Sequence, residues 1–161
     1  MHQLPPTCRE DWQRARPDLD TSPMDVIGSL KQVLALINSA LEPVYEGAPV
    51  TQPELETMMI MRHAQRPGIA RTLAVQLGLS RAALSKTLSR LEQRGYIVRE
   101  ANPADRRASL IRLTPDGERV VDEMFPRQLG IEARLLSGLD DDERTRVLDA
   151  LELLRRTVSE L

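Results

Sequence analysis

The side chains best placed to do chemistry lie between Ser80 and Arg94. Set at about 100° per residue, this stretch puts Leu84, Leu88 and Leu91 on one side. Ala82, Ser85, Lys86, Ser89, Arg90 and Gln93 fall on the other, with Ser80 and Arg81 at the start. One face is built to pack. The other offers hydroxyl donors and cations, the groups that meet phosphate oxygens and base edges. Ser80 suits the N-cap, and Gly95 suits the left-handed position that closes a helix. A second basic group follows at Arg106 and Arg107, beside Asp105.

Charge is distributed to match. The 161 residues carry a formal net charge of −2, which excludes an indiscriminate binder of polyanions. From Arg62 to Arg112, however, eleven basic residues stand against three acidic ones, a local +8. A basic module on an acidic body is the footprint of a protein that meets phosphate on one side.

Other chemistries find little support. His2 and His63 have no companion at metal-ligand spacing, so no metal is expected. Asp140 to Glu143 reads as a helix cap and solvated face. No glycine-rich phosphate loop or nucleophile motif occurs, so neither an enzyme nor a cofactor is expected. The single cysteine, Cys8, permits no internal disulfide. It reads as an incidental exposed thiol, with a thiol-based redox-sensing regulator as the alternative. No uninterrupted apolar run approaches the roughly 20 residues that span a bilayer. The opening residues lack the order of a signal peptide. A soluble cytoplasmic protein without membrane partners is therefore expected.

The elements that must position the basic side chains can be placed from periodicity. Ala70 to Leu77 forms a helix without a Ser, Thr or Asp cap, and Gly78-Leu79 turns into the basic helix; the pair is a helix-turn-helix. Tyr96 to Arg99 and Ser109 to Leu113 are strand-like, with a turn-forming, charged segment from Asn102 to Arg107 between them. This is a β-hairpin wing. Thr51 with Glu54 forms a capping box for a helix carrying Leu55, Met58, Met59 and Met61. Those methionines read as core or as the wall of an adaptable pocket. Thr114-Pro115 opens a further helix, which Pro126 should kink. Asp140 and Glu143 cap the last one.

The first long helix repeats Ile27, Leu30, Leu34, Ile37, Leu41 and Val44, and should kink or stop at Pro43. The last repeats Val147, Leu151, Leu154, Val158 and Leu161. Two such seams exceed what one small core needs, so a symmetric helical dimer is expected; packing on each other within one chain is the alternative. A twofold would set two half-sites about 34 to 36 Å apart on a near-palindromic site. Residues 1–23 read as a mobile arm with a short helix near Arg9 to Ala15, in which Trp12 either anchors the arm or lines a pocket.

The runs LSRAALSKTLSRLEQRGYIVRE and NPADRRASLIRLTPDG resemble the MarR family of dimeric winged-helix transcriptional regulators, from about Met24 onward. The resemblance implies a mainly α fold with a small β-wing. Residues 24–48 and 115–161 would form the dimerisation region and 49–114 the winged helix-turn-helix. It implies a regulator, more often a repressor, that binds duplex DNA as a homodimer and is released by a small anionic or aromatic ligand. Ser80, Arg81, Ser85, Lys86, Ser89 and Arg90 would meet DNA from the recognition helix. Arg107 would enter the minor groove, braced by Asp105 and flanked by Arg106. DWQRARPDLDTSPMDVIGSL further resembles the N-terminal extension of the branch that responds to urate and related ligands. Trp12 matches its tryptophan, Glu56 stands for its aspartate, and Thr87 occupies the place of an arginine. A winged helix used only for protein contact is the remaining alternative.

Overall fold

The computed structural model describes residues 8–105 and 108–159. The chain divides between Glu42 and Pro43 into two compact units.

In the N-terminal unit, α1 (Cys8–Ala15) precedes α2, which runs from Pro23 to Tyr45 and so enters the second unit in its last turn. The expected short helix is therefore present. Its guanidinium at Arg9 forms an ion pair with Asp25 and lies 3.4 Å from the Thr21 hydroxyl, ordering α1 against the start of α2. Asp20 accepts the Ser22 N–H at 2.9 Å, closing the turn between them. The helix continues two residues past Pro43, since the carbonyl that the ring displaces, on Ser39, belongs to an exposed residue. By length and composition alone, at a mean hydropathy of 1.2, α2 is long and apolar enough to cross a membrane, although Asp25, Lys31 and Glu42 leave no uninterrupted apolar run of that length. Interrupted apolar residues average as high as an unbroken run.

The second unit is built on α3 (Gln52–Arg62), β1 (Gly68–Ile69), α4 (Ala70–Leu77), α5 (Arg81–Gln93), β2 (Ile97–Ala101), β3 (Ser109–Leu113), α6 (Pro115–Leu135) and α7 (Asp141–Ser159). The strands form an antiparallel sheet in the order β1-β3-β2. Gly68 faces Ile111 and Ile97 faces Leu113. The sequence reading omits β1, whose two residues hold no alternation to detect.

Leu55 and Met58 of α3, Leu84, Leu88 and Leu91 of α5, Ile97 of β2 and Ile111 of β3 form the fully buried centre. Each such side chain contributes roughly 1.5–3 kcal/mol by leaving water. Met58 and Met61 are core, as their helical spacing suggests.

The caps fall where the residue types put them. Thr51 N–H donates to Glu54 at 2.8 Å. Asp140 and Glu143 exchange bonds of 3.1 and 2.7 Å at the head of α7. Thr114 Oγ1 accepts the Gly117 N–H at 3.1 Å and donates to the Gly95 carbonyl at 2.7 Å, while its own N–H donates to Tyr96 at 3.0 Å. A Cβ on Gly117 would stand 2.1 Å from the Tyr96 carbonyl oxygen. The Thr-Pro-Asp-Gly run thus clasps the start of α6 to the end of α5. α6 continues past Pro126 to Leu135, as expected of a helix that resumes beyond it; the carbonyl that the ring displaces, on Asp122, belongs to an exposed residue, where water can satisfy it.

Candidate nucleic-acid interface

The site is built on α5. Ser80 accepts the Ala83 N–H at 3.1 Å, fixing the first turn. Gly78 at φ 63° and Gly95 at φ 75° occupy the left-handed region, ending α4 and α5 where longer side chains would be strained. With Leu84, Leu88 and Leu91 held in the core, the helix cannot rotate. Ser80, Arg81, Ser85, Lys86 and Arg90 are therefore exposed in one row, with Ser89 half-buried beside them. This is the arrangement that periodicity predicts.

The cation count needs correcting, because several basic residues are spent inside the protein. Arg94 pairs with buried Glu54, donates to the Pro49 carbonyl at 2.7 Å and lies 5.7 Å from the centre of the Tyr96 ring. Arg62 binds Asp122 at 2.8 Å, Arg99 binds Glu92 at 3.0 Å and Arg112 binds Glu100 at 3.0 Å. Among the described residues Arg66, Arg71, Arg81, Lys86 and Arg90 form no such pair. Three of these five lie on α5. Positive field is thus concentrated on the exposed helix face rather than spread over the module.

Arg71 was not among the expected contacts. It shares with Ser80, Arg81 and Val75 a hollow of 670 Å³ where α4 turns into α5. Val75, 78 % exposed, is the most open of the large apolar side chains among the described residues. Its position one residue beyond buried Leu73 and Ala74 is the signal that places it outside.

At the wing, Asn102 is buried and its Oδ1 accepts the Ala104 N–H at 3.0 Å, while its carbonyl accepts from Asp105 at 3.3 Å. This side-chain-closed turn holds Asn102 to Asp105 in a defined bend. Asp105 is exposed there; Arg106 and Arg107 lie outside the described residues. Of the ligand candidates, Trp12 is 48 % exposed in the N-terminal unit. Glu56, half-buried in α3 of the C-terminal unit, accepts from Gln52 at 3.0 Å. Cys8 is exposed at the first residue of α1.

Burial pushes the Tyr45 hydroxyl up to about 12, with the nearby charges of Glu56 and Glu132 adding to the effect. It therefore stays protonated and donates to Gln128, whose amide in turn donates to Glu132 at 2.6 Å.

Comparison with known proteins agrees with this geometry. Residues 50–109 match the MarR family model. The chain is 31 % identical over 140 residues to the HTH-type transcriptional regulator PecS of Dickeya dadantii, covering 86 % of this chain and 84 % of that one. It is 30 % identical over 101 residues to the transcriptional regulator HosA of Escherichia coli O111:H-, covering 62 % and 73 %. Among solved structures, the PcaV transcriptional regulator of Streptomyces coelicolor, determined with its natural ligand, superposes with a TM-score of 0.68 at 28 % identity, covering 88 % and 96 %. AbsC from the same organism, at 19 % identity, shares the fold with a TM-score of 0.79, covering 89 % and 98 %. A mainly helical chain with this three-stranded sheet and exposed basic helix, related at this level over most of its length, belongs to the MarR family and is a DNA-binding transcriptional regulator.

Proposed function

We propose that the chain acts in the cytoplasm as a homodimeric repressor that grips a near-palindromic operator and lets go when a small anionic or aromatic ligand binds. One observation carries the reading: Arg81, Lys86 and Arg90 of α5, which no carboxylate neutralises among the described residues, share a face with Ser80, Ser85 and half-buried Ser89, opposite a buried leucine row. In this reading α5 enters the major groove, where Ser80, Arg81, Ser85, Lys86, Ser89 and Arg90 meet phosphates and base edges. Asp105, Arg106 and Arg107 form the minor-groove contact of the wing.

Residues 24–48 and 115–161 supply the pairing surface, and 49–114 the reading head. The apolar composition of α2 is accounted for by a protein partner rather than lipid. Ligand control is supported by the natural ligand bound to PcaV, and Trp12 and Glu56 are the residues assigned to it here. Selecting bound duplexes from a random pool tests the reading. A twofold-related pair of half-sites is expected. Affinity should fall steeply with salt, log K against log salt sloping by about −0.9 per phosphate contact. An asymmetric or unenriched pool, or a flat salt response, refutes it.

A further inference from the structure

The exposed face of α5 continues onto α4. An open hollow of 670 Å³ lies where α4 turns into α5, and Arg71, Val75, Ser80 and Arg81 are among the residues that line it. Arg71 and Val75 stand four residues apart, so they share one face of α4, and buried Leu73 and Ala74 hold that face outward. No carboxylate lines the hollow, and the chain has none between Glu56 and Glu92. Arg71 and Arg81 are both exposed, with no ion pair among the described residues. Val75, 78 % exposed, shares the hollow with them. A hydrocarbon side chain left in water beside two uncompensated cations is complementary to a surface on which anionic groups alternate with apolar carbons. A nucleic-acid strand, phosphate then sugar then phosphate, is such a surface.

We infer that one strand of the duplex is seated in this hollow, its phosphates on Arg71 and Arg81 and the deoxyribose between them against Val75. The inference rests on α5 being the reading helix. When a recognition helix lies in the major groove, the helix before it crosses the strand bordering that groove, which brings α4 to the backbone rather than to base edges. A free anion would satisfy the arginines and leave Val75 in water. The valine also makes the contact selective for deoxyribose, because a 2′-hydroxyl pressed against its methyl groups would lose water and gain no partner.

The test is a fluorescence salt titration of the full chain on a selected site and on an unrelated duplex. Arg71→Gln should bind both roughly tenfold more weakly, and the slope of log K against log salt should fall by about 1. Val75→Glu, at a position already in solvent, should keep the wild-type melting temperature and lose at least as much affinity. Single methylphosphonates along the selected site should reveal one phosphate whose neutralisation weakens the wild type but not Arg71→Gln. One ribonucleotide beside that phosphate should weaken the wild type, and Val75→Ala should remove the penalty. An unaltered slope for Arg71→Gln, wild-type binding by Val75→Glu, or no phosphate coupled to Arg71 would overturn the assignment. A loss in Arg71→Gln confined to the selected site would overturn it too, giving the arginine to a base edge. If selection yields no preferred site while both variants still weaken binding to the unrelated duplex, the operator reading fails and the strand contact stands.

Discussion

Glu54 shows how a single side chain can decide what a charge is for. It is 2 % exposed, and burial on its own would raise its pKa. Hydrogen bonds from Arg94 and from the Thr51 backbone and hydroxyl outweigh that, so the carboxyl sits below its ordinary value. A group depressed in the folded state adds stability above its unfolded pKa, about 4.3, and loses it as pH falls through the folded value. The Arg94–Glu54 pair therefore strengthens the fold at neutral pH and fails in acid. Glu54→Gln should cost roughly 1–3 kcal/mol at pH 7 and flatten the acid limb of stability against pH. Urea melts at pH 7 and pH 3.5 check this; a wild-type difference between those pH values that Gln leaves unaltered refutes it. Lys86 illustrates the opposite case. It is exposed and makes no ion pair among the described residues, so Lys86→Ala should leave the melting temperature alone. It should weaken duplex binding and reduce the salt slope by about 1. An unchanged slope in a fluorescence titration would remove Lys86 from the interface.

At the level of elements, the clasp between α5 and α6 gives the sharpest prediction. Gly117 is needed for space, since an added methyl would collide with the Tyr96 carbonyl rather than with a yielding side chain. Gly117→Ala should cost about 1–3 kcal/mol despite the better helix propensity of alanine. A denaturation midpoint at or above wild type would show that the backbone gives way. Much of this architecture is legible in the chain because its causes are local. Ser80, Gly78 and Gly95 act within a few residues of where they stand, as does Thr114 in capping Gly117, and the leucines of α5 announce their face by spacing alone. What stays hidden is made by distant partners. β1 exists only because Gly68 meets Ile111 across the sheet. Arg94 is lost to the interface because Glu54, 40 positions away, claims it, and Arg62 because Asp122 lies 60 away. No count of charges along a segment can see such pairings, so the local +8 overstates the cations left for DNA.

At the scale of the whole molecule, the surface poses a problem that one copy does not solve. No residue of α7 is buried, and Leu148 and Leu153 are 66 % and 67 % exposed. In α2 only Leu41 is buried, while Leu34 and Leu36 stand 58 % and 65 % open. The predicted seam residues fall on α2 and, for Val147, Leu151, Leu154 and Val158, on α7, Leu161 lying outside the described residues; Val26, Val33 and Leu36 add apolar surface beyond them. Large apolar side chains this exposed on either helix are costly in water and mark an interaction site. In the function proposed above, a second copy covers this surface and gives the reading head its second half-site. Leu148→Glu with Leu153→Glu alters α7 at positions already facing solvent, so the monomer fold and its helical circular dichroism should persist. Sedimentation equilibrium should nevertheless fall from twice the 18.1 kDa chain mass to once. Each half-site would then be bound alone, and operator affinity should drop by roughly 10²- to 10⁴-fold as the linked second contact is lost. A wild-type chain that sediments as a single copy at micromolar concentration, or a double variant that stays paired, places the apolar surface of α7 in some other role.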